Sequence, residues 1–121
     1  MAKRTILIIE DDQSLVTLLS RALEANHFTV SLALDAESGF KKAKRRRPSL
    51  IILDVMLPGM DGFRCLQQLK QDPATKRIPV IILSNLGQSD EVRQALALGA
   101  ADYLVKADCT IGQVIDTIKQ Y

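Results

Sequence analysis

The chain has 121 residues, enough for one domain that buries roughly two thirds of the surface its unfolded form exposes. Its 47% hydrophobic and 25% charged residues are ordinary for a globular protein, and a net charge of +2 is too small to argue by itself for nucleic acid or a membrane surface. No apolar stretch approaches the roughly 18 residues of a spanning helix, no signal peptide shows at Met1-Ala2-Lys3-Arg4, and Cys65 and Cys109 lack metal-ligand spacing; a cytoplasmic protein with free thiols is expected.

The first apolar run, Ile6-Leu7-Ile8-Ile9, ends in Glu10-Asp11-Asp12, of which Asp12 is read as the cap of the following helix. Leu15, Leu18, Leu19, Ala22 and Leu23 form that helix's apolar stripe, and Asn26 is placed to end it in the left-handed conformation. His27, the only histidine, lies near the next turn and is read as a surface or packing residue. Phe28, Val30 and Leu32 then alternate with Thr29, Ser31 and Ala33, a pattern with one wetter face that belongs at a sheet edge. Asp35 is expected to cap a second helix with Ala36, Phe40 and Ala43 inward and Pro48 after its end. That helix closes in Lys41, Lys42, Lys44, Arg45, Arg46 and Arg47. Cations there suit the helix dipole, so the run is read as a solvated helix end and nucleic acid is not expected as a direct partner.

The third run, Leu50-Ile51-Ile52-Leu53, ends in Asp54 and leads to the loop Pro58-Gly59-Met60-Asp61-Gly62, in which Asp61 is read as a support rather than a metal ligand. Phe63, Leu66 and Leu69 face inward on a third helix that Pro73 stops. Val80-Ile81-Ile82-Leu83 ends in Ser84, and Ser89 or Asp90 opens a fourth helix with Val92, Ala95 and Leu96 inward and Gly99 after it. Tyr103-Leu104-Val105 runs into Lys106, and Thr110-Ile111-Gly112-Gln113 is a capping box for a last helix with the stripe Ile111, Val114, Ile115 and Ile118. Four of the five runs are near-continuous, as parallel strands covered on both faces are. Five strands alternating with five helices through right-handed crossovers predict a three-layer α/β domain, with the ligand site beyond the carboxyl ends of the strands.

Those ends carry the chemistry. If the first and third strands are neighbours, Glu10, Asp11 and Asp54 converge, and two like charges 4 Å apart repel by about 4 kcal/mol at an effective dielectric of 20. Either a carboxyl takes up a proton or a cation fills the gap. An all-oxygen set suits Mg²⁺, whereas zinc's thiolate and imidazole ligands are absent. Lys106 adds a fixed positive charge and Ser84 a hydroxyl donor. Taken singly, a strand-end lysine is usually solvated and a strand-end serine usually a turn residue. Together around one carboxylate they form a receptor for a phosphoryl group, with Asp54 as the nucleophile that becomes an acyl phosphate.

Ile-Ile-Glu-Asp-Asp at 8–12, Leu-Asp-Val-Met-Leu-Pro-Gly-Met-Asp-Gly at 53–62, Val-Ile-Ile-Leu-Ser at 80–84 and Gly-Ala-Ala-Asp-Tyr-Leu-Val-Lys at 99–106 span essentially the whole chain. It closely resembles the receiver domains of two-component response regulators. The resemblance implies a flavodoxin-like, doubly wound sheet of five parallel strands in the order 2-1-3-4-5 and one receiver domain over 1–121; with Tyr121 at the close of the last helix, no output domain is expected. It implies Asp54 as phosphoacceptor, Asp11 as a direct Mg²⁺ ligand, Glu10 as a water-mediated one and the Met56 backbone carbonyl as another. Ser84 and Lys106 would contact the phosphoryl group, and Ser84 and Tyr103 would form the switch. The implied partners are a sensor histidine kinase or histidine phosphotransfer protein, and an effector on the face of the fourth helix, fifth strand and fifth helix. Weak self-association through that face stays open.

The chain departs from the family pattern at three places. Ala107 follows the lysine where receivers usually have a cis proline, and a cis bond there would cost about 2.5–4 kcal/mol without one, so a trans bond and a shifted Lys106 loop are expected. Asn85 stands where a small residue is usual and narrows access to Asp54. Met56 and Leu86 are apolar at positions that set the lifetime of the phosphate, which predicts slow autodephosphorylation and no other enzymatic activity. Two alternatives remain: a degenerate receiver serving only as a docking module, and a small Mg²⁺-dependent aspartyl phosphatase, which would want an acid where Met56 stands.

Overall fold

A computed structural model describes residues 3–57 and 61–121. The loop residues Pro58, Gly59 and Met60 of the sequence reading lie outside them. Strands β1 (Thr5–Ile9), β2 (Thr29–Ala33), β3 (Leu50–Leu53), β4 (Val80–Ser84) and β5 (Asp102–Val105) alternate with helices α1 (Gln13–Ala25), α2 (Ala36–Arg46), α3 (Gly62–Gln71), α4 (Ser89–Ala97) and α5 (Ile111–Lys119). All strand pairs are parallel, in the order β2-β1-β3-β4-β5. β1 and β3 bury their apolar residues on both faces. Ile6, Ile8, Leu50 and Ile52 pack with Leu19 and Leu23 of α1 and Val114, Ile115 and Ile118 of α5; Leu7, Ile9, Ile51 and Leu53 pack with α2, α3 and α4.

β2 is an edge strand, as its alternation predicts. β5 is the other edge and is only half-buried throughout. Its continuous apolar run does not signify cover on both faces; Leu104 and Tyr103 each lean on a different side of the sheet.

Local signals set most helix ends. Asp12 accepts from the N–H groups of Ser14 and Leu15, Asp35 from Ser38, and Asp61 from Arg64. Both halves of the Thr110–Gln113 capping box are formed. Three expectations need correction. The left-handed residue after α1 is His27 (φ 68°), not Asn26 (φ −99°). Asn26 instead donates from its side chain to the Ala22 carbonyl at 2.8 Å, while Phe28 N–H returns to the Leu23 carbonyl and closes the turn one residue later. Leu18 is 55% exposed and Leu96 47% exposed. The buried face of α1 runs through Val16, Leu19 and Leu23, and α4 buries Ala95 alone.

Candidate functional site

The register brings the acids together. Ile9 pairs with Leu53, so Glu10 and Asp54 leave adjacent strands side by side. Asp54 N–H donates to the Ile9 carbonyl at 3.1 Å, and Glu10 N–H to the Ala33 carbonyl at 3.0 Å, so both acids still belong to the sheet's hydrogen-bonded frame. Glu10 and Asp54 are 3% and 4% exposed, whereas Asp11 is exposed. One carboxylate oxygen from each of Glu10, Asp11 and Asp54 lies within 4.8 Å of the others. Three carboxylates at that spacing and no nitrogen or sulfur donor fit a hard divalent cation such as Mg²⁺.

Lys106 reaches the same place from β5. Its ammonium donates to Asp54 Oδ2 at 2.9 Å and lies 2.6 Å from Glu10 Oε1. The Lys106–Ala107 bond is trans, as expected, because no peptide bond among the described residues is cis. The chain turns there through a single 3₁₀ turn, Lys106–Asp108, and the lysine is nevertheless seated on both acids. Every carboxylate oxygen of the buried pair is engaged. Glu10 Oε2 accepts from the N–H groups of Asp11 and Asp12, and Asp54 Oδ1 from that of Met56. Burial pushes the Glu10 carboxyl above its ordinary pKa; Lys106 and the Asp12 N–H pull it down without cancelling that effect. Burial works to lower the Lys106 ammonium, but Glu10 and Asp54 outweigh it and hold its pKa above the ordinary value.

Ser84 and Tyr103 stand one step away. Ser84 ends β4, fully buried, beside Val105, and its Oγ accepts from Leu86 N–H at 3.3 Å. The Tyr103 hydroxyl donates to the carbonyl of the same Leu86. Leu86 thus ties the strand-end hydroxyl to the aromatic ring. Met56 is 54% exposed and Asn85 is exposed. Asp61 belongs to the α3 cap, not to the acid cluster.

Gly62 is a site residue to which the sequence reading assigned no role of its own. A Cβ on it would fall 2.2 Å from Val55 Cα and 2.5 Å from the Asp54 carbonyl oxygen, both backbone atoms that cannot swing aside. Its spacing does not announce the contact, which the fold makes with backbone seven and eight residues earlier. Gly62→Ala is expected to shift the Asp54 backbone, lower stability by about 1–3 kcal/mol and slow phosphoryl uptake. Urea unfolding and a phosphorylation time course check both; a variant that matches the wild type in both would remove this role for Gly62.

The family model of the response regulator receiver domain matches residues 6–119. The chain belongs to that family. It is 43% identical over 102 residues to response regulator PleD of Caulobacter vibrioides, covering 84% of this chain and 22% of PleD. A putative response regulator from Chloroflexus aurantiacus superposes with a TM-score of 0.90 at 28% identity, covering 98% of this chain and 96% of that one. The Mn²⁺-bound form of response regulator Rcp1 superposes with a TM-score of 0.87 at 26% identity, covering 98% and 93%. This receiver domain spans less than half the length of the curated relatives it matches. No helix among its described residues is long and apolar enough to cross a membrane.

Proposed function

We propose that the chain is a phosphorylation-controlled switch in which Asp54 takes a phosphoryl group from a phosphohistidine on a sensor kinase or phosphotransfer protein. The seating of Lys106 on both Asp54 and Glu10 carries this reading. A domain used only for docking has no need of a half-buried ammonium fixed on two buried carboxylates at the mouth of the sheet. Glu10, Asp11, Asp54 and the Met56 carbonyl would hold a Mg²⁺ ion, and Rcp1, a relative of the same fold, binds Mn²⁺. When bound, the ion supplies positive charge to the phosphoryl oxygens.

The rest falls to side chains. An Asp54 carboxylate oxygen, held in plane by Met56 N–H and Lys106, forms the bond to phosphorus as the bond to the donor imidazole breaks. Lys106 neutralises the phosphoryl oxygens, and the Ser84 hydroxyl donates to one of them. In turning to do so, Ser84 withdraws the acceptor that Leu86 N–H now uses, and loosens the loop that Tyr103 holds. That couples a charge of about −1.5 to −2 at Asp54 to the α4–β5–α5 face, where an effector would read it. The free thiols of Cys65 and Cys109 suit a cytoplasmic setting, and burial pushes the Cys65 thiol up to about 12, where it is inert.

Neither Met56 nor Leu86 has a polar side-chain atom to orient an attacking water. Met56→Asn is therefore expected to shorten the phosphate's half-life by about tenfold, equivalent to ~1.4 kcal/mol of barrier. Loss of labelled phosphate after removal of the donor measures it, and an unchanged half-life contradicts the assignment. Incubation with a phosphorylated histidine phosphotransfer protein tests the function itself. Transfer of the label to this chain supports the switch; a tight complex without transfer supports the docking module.

A further inference from the structure

The end of the sheet opposite Asp54 gathers cations from three separate segments. Arg4 precedes β1, its guanidinium 5.9 Å from the centre of the Phe28 ring, and its carbonyl accepts from Thr29 N–H at the start of β2. Arg45, Arg46 and Arg47 close α2; two residues on, Ser49 N–H donates to the Thr5 carbonyl and leads into β3. Lys76 and Arg77 precede β4, and the Pro79 carbonyl accepts from Ile51 N–H of β3. The starts of three neighbouring strands, β1-β3-β4, thus share one basic edge. Except for the half-buried Arg4 these side chains are exposed, and none lies within ion-pair distance of a carboxylate among the described residues. The acids at this end offset the edge only in part. Asp72 is taken by Lys44 at 3.1 Å, Asp102 accepts from Tyr121 and Tyr103, and Glu24 is exposed on α1.

A second observation sets Arg47 apart. It caps α2 in the left-handed conformation, φ 46°, which glycine adopts without steric penalty. The backbone therefore does not call for arginine there. A helix end beside its own dipole needs no cations from the β1 and β4 segments either.

We infer that this edge is a sequence-independent contact for the phosphate backbone of duplex nucleic acid. Two strand spacings of about 4.8 Å give an edge about 10 Å long, over which a duplex carries about six phosphates. Five of the six residues are arginines, whose planar fork matches phosphate oxygens in pairs. A membrane surface fits less well, because none of the exposed large hydrophobic side chains belongs to these three segments. With a net charge of only +2, attraction has to come from this local concentration and not from the molecule as a whole.

The test is fluorescence anisotropy of a labelled mixed-sequence duplex titrated with the full chain at several salt concentrations, beside sedimentation with vesicles containing anionic lipid. Binding is expected with an affinity that falls about 500-fold between about 50 and 200 mM salt, as about five phosphate contacts require. Replacing Arg45, Arg46 and Arg47 with Gln should weaken binding and flatten that fall to about tenfold. Arg47→Gly should weaken binding while the melting temperature holds or rises, which separates the effect from folding. No duplex binding at the lowest salt, an undiminished salt slope in the triple variant, or binding to the vesicles and not to the duplex would each overturn the proposal.

Discussion

Asp54→Asn is expected to take up no phosphoryl group from acetyl phosphate while remaining about as stable as the wild-type chain. The first half follows from replacing the carboxylate proposed as nucleophile by an amide. The second follows from the charges around it. Asp54 gains the Lys106 ammonium at 2.9 Å and faces an oxygen of each of Glu10 and Asp11 within 4.8 Å. At an effective dielectric of 20 the attraction is about 6 kcal/mol and the two repulsions together about 7 kcal/mol. Asp11 is exposed and its share is further screened. The terms nearly cancel, and the amide oxygen can still accept from Met56 N–H. Urea unfolding without metal should therefore agree within about 1 kcal/mol, the scatter of ordinary substitutions. The stabilisation that millimolar Mg²⁺ gives the wild type should shrink with the lost ligand. A large loss of stability in Asp54→Asn would mean that the carboxylate is chiefly structural.

Lys106→Met reverses that balance. It leaves Glu10 and Asp54, 3% and 4% exposed, facing each other with no cation. Removing one partner from a buried ion pair costs about 3–5 kcal/mol. The low end applies here, since backbone N–H groups still serve both acids. The variant should be about 3 kcal/mol less stable in metal-free buffer and should recover much of that in Mg²⁺, because an ion at 100 times its dissociation constant returns about 2.7 kcal/mol. Its melting temperature should thus depend on Mg²⁺ more steeply than the wild type's, with phosphoryl uptake reduced even in saturating metal. Equal stability of the two proteins without metal would show that Lys106 does not hold the acids. The same ion pair sets a pH expectation. The folded pKa of Lys106 lies above the ordinary 10.5, so its contribution is fully present below that value and is lost only as pH rises through the higher folded one. Stability near neutrality should not vary on its account.

The acid cluster and its lysine were legible because strand-end placement is a long-range fact written locally. Apolar runs fix where each strand stops, and parallel register then sets Glu10 beside Asp54. Caps were legible for the same reason: Asp35 and the Thr110–Gln113 pair act within one helical turn. What failed was whatever depended on a choice among neighbours. Leu15, Leu18 and Leu19 all fit one helical stripe, and only contact with α5 and the sheet decides that Leu18 faces outward. Asn26 suits a left-handed turn but satisfies the Ala22 carbonyl through its side chain, leaving the turn to His27. The role of Leu86 as the link between Ser84 and Tyr103, and that of Gly62 beneath Asp54, rest on backbone atoms brought together by the fold; no spacing in the chain announces them.

The most direct test is the intact mass of the chain after incubation with acetyl phosphate, with and without Mg²⁺, followed by peptide mapping. One added phosphoryl group, dependent on Mg²⁺ and located at Asp54, is the predicted result. No addition under either condition, or addition at another residue, would contradict the assignment of Asp54 as the phosphoacceptor.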